Sequence, residues 1–170
     1  MEKGYGAACL KGIGYVADKN DADIVVFLDG DYSDHPEELV DVVAPIINDG
    51  YDMVIGSREL GEREKGAMMP QQIFGNWLAT TLIRLIYNYT FTDLGPFRAI
   101  RWDKLVEIDM KDRDFGWTVE MQVKAAKKKL KCKEVSVNYR KRIGVSKVTG
   151  TIKGTVMAGY KILWTIFKLR

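Results

Sequence analysis

The sequence predicts an α/β fold, in which a mostly parallel sheet is flanked by helices and followed by an amphipathic C-terminal helix. Two short runs predict strands: residues 24–28 have the composition of a strand buried on both faces, and residues 53–57 form a second short strand. Stretches with helical spacing of apolar residues precede the first run and separate it from the second. This alternation of helix and strand indicates parallel strands joined by helical crossovers.

The first half of the chain contains two helices and two strands. The second helix begins near Pro36, where Asp34 and Glu37 have the spacing of a capping box, and it ends at Gly50. The lone histidine, His35, is interpreted as a residue of this helix start rather than as a metal ligand.

The second half of the chain continues the pattern. The predicted elements are a helix from Pro70 to about Tyr89, a strand at 97–101, a short helix at 102–107, a helix at 117–129, a half-exposed strand at 133–140 and a helix within 151–170.

The composition is that of one globular domain of 170 residues. A net charge of only +3 disfavours a dedicated nucleic-acid binder. Basic residues are concentrated in 124–153 and acidic residues in 18–52, which suits an anionic ligand or a membrane surface at one end. The cysteines, Cys9 and Cys132, lack metal-site spacing and predict free thiols in a cytosolic protein.

An acidic pair directly follows the first strand. Asp29 and Asp31 are two residues apart, so in extended chain their carboxylates point the same way, and Gly30 lets a ligand approach the backbone. Ligands of open α/β sheets lie at such strand ends, and paired carboxylates suit a hard cation such as Mg²⁺ or Mn²⁺. The alternative is a polar turn, because Asp and Gly are favoured turn residues.

Two further segments have the character of anion sites. The glycine-rich helix start at Gly4 would present N–H groups to a phosphate, or it is simply a closely packed helix start. Arg140, Arg142 and Lys147 surround Gly144, as a phosphate clamp or as a solvated loop.

The C-terminal segment, residues 151–170, is both apolar and basic. Its apolar side and its separate lysine stripe fit a helix lying at a membrane interface, and it is too interrupted to span a bilayer. The alternative is a helix packed on the core whose lysine stems extend to water. We favour the interfacial role.

Several stretches in this order, covering nearly the whole chain, resemble family 2 glycosyltransferases of the GT-A (Rossmann-like) fold, close to the polyprenol-phosphate or dolichol-phosphate sugar transferases. The main stretches are Gly4-Tyr5-Gly6-Ala7-Ala8, Leu28-Asp29-Gly30-Asp31, Val54-Ile55-Gly56-Ser57-Arg58, Phe74-Gly75-Asn76, Asp93-Leu94-Gly95-Pro96-Phe97-Arg98, Gly116-Trp117-Thr118-Val119-Glu120 and the segment 140–154.

The resemblance implies metal-dependent, inverting transfer of a sugar from a nucleotide-sugar to a polyprenyl phosphate. Asp29 and Asp31 would form the family's Asp-x-Asp motif, which holds Mg²⁺ or Mn²⁺ on the donor diphosphate. Asp93 and Glu120 are the acidic catalytic candidates on the acceptor side. The phosphate-binding candidates are Gly4, Arg58, Arg98, Arg140, Arg142 and Lys147.

The chain departs from the family pattern in two places. It has no counterpart of the family's first strand and following βα unit, so we expect a partial GT-A domain at 1–148 and a basic amphipathic helix at 149–170. Gln71-Gln72-Ile73 also replaces a basic residue often found before Gly75-Asn76. A sheet without its first strand exposes an edge, which predicts a homo-oligomer.

The expected partners are a nucleotide-sugar, a polyprenyl phosphate and a membrane surface, with no nucleic acid. The expected location is cytoplasmic and peripheral, at the inner face of the membrane. One alternative is a non-catalytic glycosyltransferase-like module that binds metal, membrane or a partner. Another is a basic phosphate- or nucleic-acid-binding module that uses residues 124–153.

Overall fold

The fold is described from a computed structural model, which describes residues 4–144 and 151–170. Within these residues, eleven elements follow one another. They are α1 (Tyr5–Lys19), β1 (Ile24–Phe27), a 3-10 turn (Pro36–Glu38), α2 (Leu39–Asp49), β2 (Met53–Ser57), α3 (Pro70–Tyr87), β3 (Arg98–Arg101), α4 (Trp102–Ile108), α5 (Trp117–Lys127), β4 (Cys132–Ser136) and α6 (Ile152–Lys168).

The four strands form one sheet in the order β1-β3-β2-β4. Three of them, β1, β2 and β4, run in the same direction, and β3 runs opposite to its neighbours β1 and β2. The predicted α/β class and mostly parallel sheet are confirmed. Only β2 and β4 are direct parallel neighbours, because β3 is inserted between β1 and β2.

The reversed direction of β3 follows from where the chain enters it. The loop before β3 lies against the end of β2: the hydroxyls of Ser57 and Thr92 are 2.7 Å apart, and Gly56 N–H donates to the carbonyl of Phe97 at 2.9 Å. The chain therefore enters β3 beside the C-terminal end of β2. From there β3 runs antiparallel to β2.

The sheet separates two apolar clusters. Met53, Ile55 and Ile100 face the larger cluster, which also includes residues of α3, α4, α5 and α6. Val54 and Ala99 face the smaller cluster under α2. All five residues of β2 are buried. The predicted burial of the first run on both faces is wrong for the first three residues of β1, which are only half-buried because β1 lies at the edge of the sheet.

The start of α2 differs from the predicted capping box. A 3-10 turn precedes the helix, and its N-cap residue, His35, makes no side-chain capping bond. The side chain of Asp34 instead turns back toward β1, where it accepts a hydrogen bond from Asp29 N–H at 3.3 Å. The predicted end is confirmed, since Gly50 is the left-handed C-cap with φ 65°.

Helix α6 packs against α3 and α5 along one side. Thr151 caps it, with its hydroxyl accepting from Gly154 N–H at 3.0 Å, and Thr165 and Ile166 are buried. The proposed boundary at 148/149 and the candidate Lys147 lie outside the described residues. Among the helices of the described residues, none has the length and apolar content needed to cross a bilayer.

Candidate functional site

The candidate site lies where β1 and β2 end. The loop 29–34 follows β1, Arg58 follows β2, and the segment 139–143 crosses beside the loop. Two backbone hydrogen bonds fix this crossing: Arg140 N–H donates to the carbonyl of Ser33 at 3.0 Å, and Ile143 N–H donates to that of Asp31 at 2.9 Å. The topology thus brings segments that are more than a hundred residues apart in sequence to the C-terminal ends of β1 and β2.

Asp29 and Asp31 line the same open cavity of about 530 Å³, together with Tyr5, Cys9 and Arg142. Burial, and next the negative charge of Asp31, raise the pKa of the Asp29 carboxyl above its usual value. Because the two carboxylates repel each other beside an open cavity, a cation bound between them would lower the electrostatic free energy of the site.

Asp31 is held by its own loop and by a guanidinium. Its Oδ1 accepts hydrogen bonds from Ser33 N–H at 3.0 Å and from Ser33 Oγ at 2.5 Å. Its Oδ2 lies 3.0 Å from Nη1 of Arg142, and both side chains remain partly exposed. Arg142 therefore lines the cavity of the acidic pair, at the position of a counter-charge.

Asp34 is a buried third carboxylate that sequence analysis assigned to a helix cap. Its Oδ2 accepts from Asp29 N–H, and its Oδ1 is buried with no hydrogen-bond partner in the described part of the chain. Burial raises the pKa of Asp34 to about 6. The acidic character of the loop was visible in the sequence, but the inward turn of this side chain was not.

Tyr5 is a second residue that the sequence did not single out. It lines the same cavity as Asp29, and burial, followed by the charge of Asp29, raises the pKa of the Tyr5 phenol. Tyr5 is the first residue of α1, so the start of this helix fixes one side of the acidic pair.

Gly4 and Gly6 provide for close packing of this helix start. A Cβ atom at either glycine would overlap the backbone of residues 112–113, and Gly4 also has φ 148°. Ala7 N–H donates to the carbonyl of Arg113 at 2.9 Å. The closely packed alternative for Gly4 therefore describes the structure, and a phosphate-binding role for Gly4 stays a prediction without a contact behind it.

Arg58 and Asp93 form a buried, bidentate ion pair. Arg58 Nε and Nη2 each donate to one Asp93 oxygen at 2.7 Å, and the Arg58 backbone N–H adds a third bond at 2.8 Å. Asp93 is fully buried, and Arg58 holds the pKa of its carboxyl below the usual range despite burial. In this arrangement Asp93 is not free to take a proton, which argues against its predicted role as a base.

The loop that carries Asp93 is fixed from several elements. Glu134 accepts from Thr92 and Asp93 N–H, Asn76 Oδ1 accepts from Leu94 N–H, and Gln122 donates to the Asp93 carbonyl. Asn76 and Gln122 are buried polar residues from α3 and α5. This network makes Asp93 part of a rigid support for Arg58.

Arg98 also has a structural environment. Its side chain is fully buried, and its donors reach the carbonyls of Leu94, Gly95 and Thr118. Burial lowers the pKa of its guanidinium to about 10. Arg98 holds the loop before β3 to the start of α5, so a phosphate would have to displace backbone carbonyls to reach it.

Glu120 lies apart from the acidic pair. It accepts from the N–H groups of Lys111 and Asp112, at 3.1 and 2.6 Å, and Lys124 Nζ lies 2.7 Å from its Oε1. Glu120 lines a different cavity, between α5 and α6. These contacts commit the carboxylate to holding the turn before α5 and argue against its predicted role as a base.

Arg140 braces the acidic loop. Its guanidinium stacks 3.4 Å over the Tyr32 ring, and it donates to the carbonyls of Tyr32 and Asp34 at 2.7 and 3.3 Å. Tyr32 has a left-handed backbone, with φ 67°. Arg140 therefore stabilises a strained turn from outside, while Arg142 is the basic residue that faces the cavity.

The residues present fit a divalent cation that takes most of its ligands from phosphate oxygens and water. Within residues 4–144 and 151–170, no group of three or more His, Cys, Asp or Glu residues is arranged to hold a metal by itself. Asp29 and Asp31 would supply two carboxylates, and Mg²⁺ and Mn²⁺ commonly complete such a site with phosphate oxygens and water.

Comparisons with known proteins agree with this fold. The model of glycosyl transferase family 2 matches residues 2–108. An uncharacterised protein of Methanocaldococcus jannaschii is 30% identical over 147 residues, which cover 84% of this chain and 58% of that protein. The UDP-N-acetylglucosamine–dolichyl-phosphate N-acetylglucosaminyltransferase of Methanococcus voltae is 29% identical over 174 residues, which cover 100% of this chain and 67% of that enzyme.

A similar fold occurs in glucosyl-3-phosphoglycerate synthase from Mycobacterium tuberculosis, crystallised with Mn²⁺, uridine diphosphate and glucosyl-3-phosphoglycerate. The two superpose with a TM-score of 0.67 at 16% identity, over 99% of this chain and 55% of that one. The chain thus spans between about half and two thirds of the length of these proteins. With its GT-A-like fold and a family match over more than half of its residues, the chain belongs to glycosyl transferase family 2.

Proposed function

We propose that this chain carries the catalytic site of an enzyme that transfers a sugar, with inversion, from a nucleotide-sugar to a polyprenyl phosphate. The observation that carries the proposal is the acidic pair, Asp29 and Asp31, which shares one open cavity with Arg142 at the end of β1. Family membership supports sugar transfer, and the relative from Methanococcus voltae is named for a dolichyl-phosphate acceptor.

On the donor side, Asp29 and Asp31 would hold Mg²⁺ or Mn²⁺ against the diphosphate. The bound cation supplies Lewis-acid neutralisation of the charge that builds on the departing diphosphate. Arg142 now neutralises Asp31 at 3.0 Å and would be released toward a phosphate oxygen when the cation takes its place. Tyr5 and Asp34 would keep Asp29 oriented through its side chain and its backbone.

On the acceptor side, a lipid phosphate suits a site whose two predicted base candidates are both bound to other groups. The second pKa of a phosphate monoester is about 6, so it is largely a dianion at neutral pH and needs no proton removed. A sugar hydroxyl would need a carboxylate base. Both predicted candidates, Asp93 and Glu120, are committed to other groups.

An apolar groove supports a lipid acceptor. It has a volume of about 220 Å³ and lies between α3 and α6, with Arg58 and Leu94 among its lining residues. Gly75 and Gly159 line it, and a Cβ atom at either would meet open space. Arg58 uses Nε and Nη2 on Asp93, and its Nη1 makes no hydrogen bond within the described residues. That nitrogen would meet the acceptor phosphate.

The outer faces of α3 and α6 support a peripheral place at a membrane, which we infer to be the cytoplasmic face. Large apolar side chains on both helices are exposed, with Trp77 at 59% and Trp164 at 50%. The others are Met69, Ile73, Phe74, Leu85, Val156, Met157, Tyr160 and Phe167. Exposed aromatic rings beside lysines are typical of helices that lie in the interface.

A transfer assay tests the proposal. The chain is incubated with Mn²⁺, labelled UDP-glucose or UDP-N-acetylglucosamine, and undecaprenyl phosphate in detergent, and the label is extracted into organic solvent. We expect label in the lipid phosphate and none in farnesol or glucose. Because losing even an outer-shell partner of a metal ligand costs about 10–100-fold, Asp31→Asn should lower transfer by about 100-fold or more.

Two outcomes would contradict the proposal. Transfer to glucose without transfer to undecaprenyl phosphate would overturn the acceptor. A chain that binds neither UDP-glucose nor Mn²⁺ in calorimetry would be the non-catalytic module instead. Asp41→Asn is the matched control, since Asp41 is exposed on α2 and lies outside the cavity of the acidic pair.

A further inference from the structure

A second cavity, of about 440 Å³, lies between the turn 111–114, helix α5 and the C-terminal half of α6. We call it the α5–α6 cavity. We infer that it binds the phosphate-bearing headgroup of an anionic membrane lipid. The inference rests on the proposed function only in placing α6 at a membrane surface, and it assigns a site separate from the cavity of Asp29 and Asp31.

The lining of the α5–α6 cavity carries an excess of positive charge. The basic residues that line the cavity are Lys111, Arg113, Lys124, Lys161 and Lys168, and the acidic ones are Asp112, Asp114 and Glu120. The formal charge of the lining is therefore +2. An excess of positive charge around a concave surface attracts a phosphate.

Some of the charges in this lining are already paired with one another. Glu120 is bound to Lys124 and to two backbone N–H groups, and Asp112 lies 3.0 Å from Lys161 Nζ. Two of the three acids in the lining are thus already neutralised. Lys168 makes no ion pair in the described ranges, and Lys111 pairs only with Asp109, where both side chains are about 70% exposed. An exposed pair of this kind contributes little and yields readily to a phosphate.

Two of the lysines in the cavity lie beside a tryptophan on α6. Lys161 and Lys168 stand three residues before and four residues after Trp164, so all three share one side of the helix. Trp164 lines the cavity and is half-exposed, and its ring stacks with that of Tyr160. The cavity therefore opens next to the apolar outer face of α6. Lysine and tryptophan side chains at the membrane–water interface typically contact lipid headgroups.

The same position favours a lipid over a free anion. A soluble phosphate would gain only the contacts of the lysines. A phospholipid places its phosphate in the cavity while its chains lie against Tyr160 and Phe167, both more than half exposed. A lipid that binds through both its phosphate and its chains has a higher effective affinity than a free phosphate.

Vesicle sedimentation tests the inference, with phosphatidylcholine vesicles that contain or lack phosphatidylglycerol. The variant is Lys111→Ala with Lys168→Ala, and its matched control is Lys11→Ala with Lys65→Ala, which removes the same charge from exposed positions elsewhere. A lysine near an anionic surface contributes about 1 kcal/mol, or about fivefold. We therefore expect the cavity variant to bind phosphatidylglycerol vesicles about 25-fold more weakly than the wild type, and the control to change much less.

The remaining outcomes separate the inference from the proposed function. An equal loss of vesicle binding in the cavity variant and in its control would overturn the headgroup site. Equal binding of the wild type to the two vesicle types would do the same. Neither result would affect sugar transfer measured in detergent. Release of the chain from vesicles by millimolar glycerol phosphate would show that a soluble anion fills the cavity and would overturn the lipid assignment. Transfer to detergent-dissolved acceptor should be the same in the wild type and in the cavity variant.

Discussion

At the scale of single residues, Arg58 and Asp93 show how a charged pair becomes part of the scaffold. Asp93 has no exposed surface, and both of its oxygens receive hydrogen bonds from Arg58. The pair is also enclosed by the Tyr139 ring, 5.0 Å from the guanidinium carbon. Removing one charge of such a pair leaves the other buried without compensation.

We expect Asp93→Asn to lower the free energy of unfolding by about 3–5 kcal/mol, measured by urea denaturation. The control is Asp103→Asn, which breaks the pair of Asp103 with Arg101. Its side chains are 56% and 44% exposed, and its loss should cost at most about 1 kcal/mol. Equal, small losses in both variants would contradict the scaffold role of Arg58 and Asp93.

The two cysteines give a prediction about pH. Both are free thiols, and burial raises the pKa of each to about 11. The folded state therefore favours the protonated thiol. The resulting stability is complete below the ordinary thiol pKa of about 9 and is lost as the pH rises through about 11.

Since the thiolate is the reactive form, alkylation by iodoacetamide at pH 8 should be about 100-fold slower in the folded chain than in urea. Mass spectrometry after timed quenching measures both thiols separately. Folded-state rates close to those in urea would contradict the half-buried environment of Cys9 and Cys132.

Residue identities were predicted better than residue contacts. The sequence marked Asp29, Asp31 and Arg142, because the acidic pair follows a strand and the arginine lies in a basic cluster. It did not mark Tyr5 or Asp34 as partners of Asp29. The contact with Tyr5 depends on how α1 packs against β1, and the inward turn of Asp34 depends on the backbone of one loop.

At the scale of elements, the start of α1 depends on the absence of side chains. Gly6 lies against the backbone carbonyl of Asp112, where a Cβ atom would overlap, whereas a Cβ atom at Gly14 would meet nothing within 4 Å. Both are glycines of one helix, so they form a matched pair.

We expect Gly6→Ala to lower the free energy of unfolding by about 1–3 kcal/mol, because the helix start has to move away from the turn 112–113. Gly14→Ala should raise it by about 0.5–1 kcal/mol, because alanine favours the interior of a helix. Thermal and urea unfolding measure both changes. Stabilisation by both substitutions would contradict the close approach at Gly6.

The existence of the elements was easier to predict than their direction. The apolar runs of β1 and β2 and the spacing of α3 and α5 indicate each element locally. The antiparallel direction of β3 does not depend on its own residues. It follows from hydrogen bonds between the preceding loop and the end of β2, which no local pattern reveals.

At the scale of the whole molecule, β1 forms one edge of the sheet, and Leu28 just beyond it is 37% exposed. An edge strand offers unpaired backbone groups to another chain. We therefore expect copies of this chain to associate, and sedimentation velocity to show a concentration-dependent dimer.

A charge beside the edge should weaken this association. Leu28→Lys should shift the equilibrium toward monomer, whereas Val106→Lys, on an exposed position of α4, should not. A wild-type chain that stays monomeric at high concentration would contradict the predicted homo-oligomer.

The central claim is that Asp29 and Asp31 hold a divalent cation on a nucleotide diphosphate. Electron paramagnetic resonance of Mn²⁺ measures it directly, because free and bound Mn²⁺ give different signals. We predict that UDP-glucose and the wild-type chain together remove free Mn²⁺ more strongly than UDP-glucose alone, that Asp41→Asn behaves like the wild type, and that Asp29→Asn and Asp31→Asn lose the effect. Equal Mn²⁺ binding by the wild type and the Asp31→Asn variant would contradict the account.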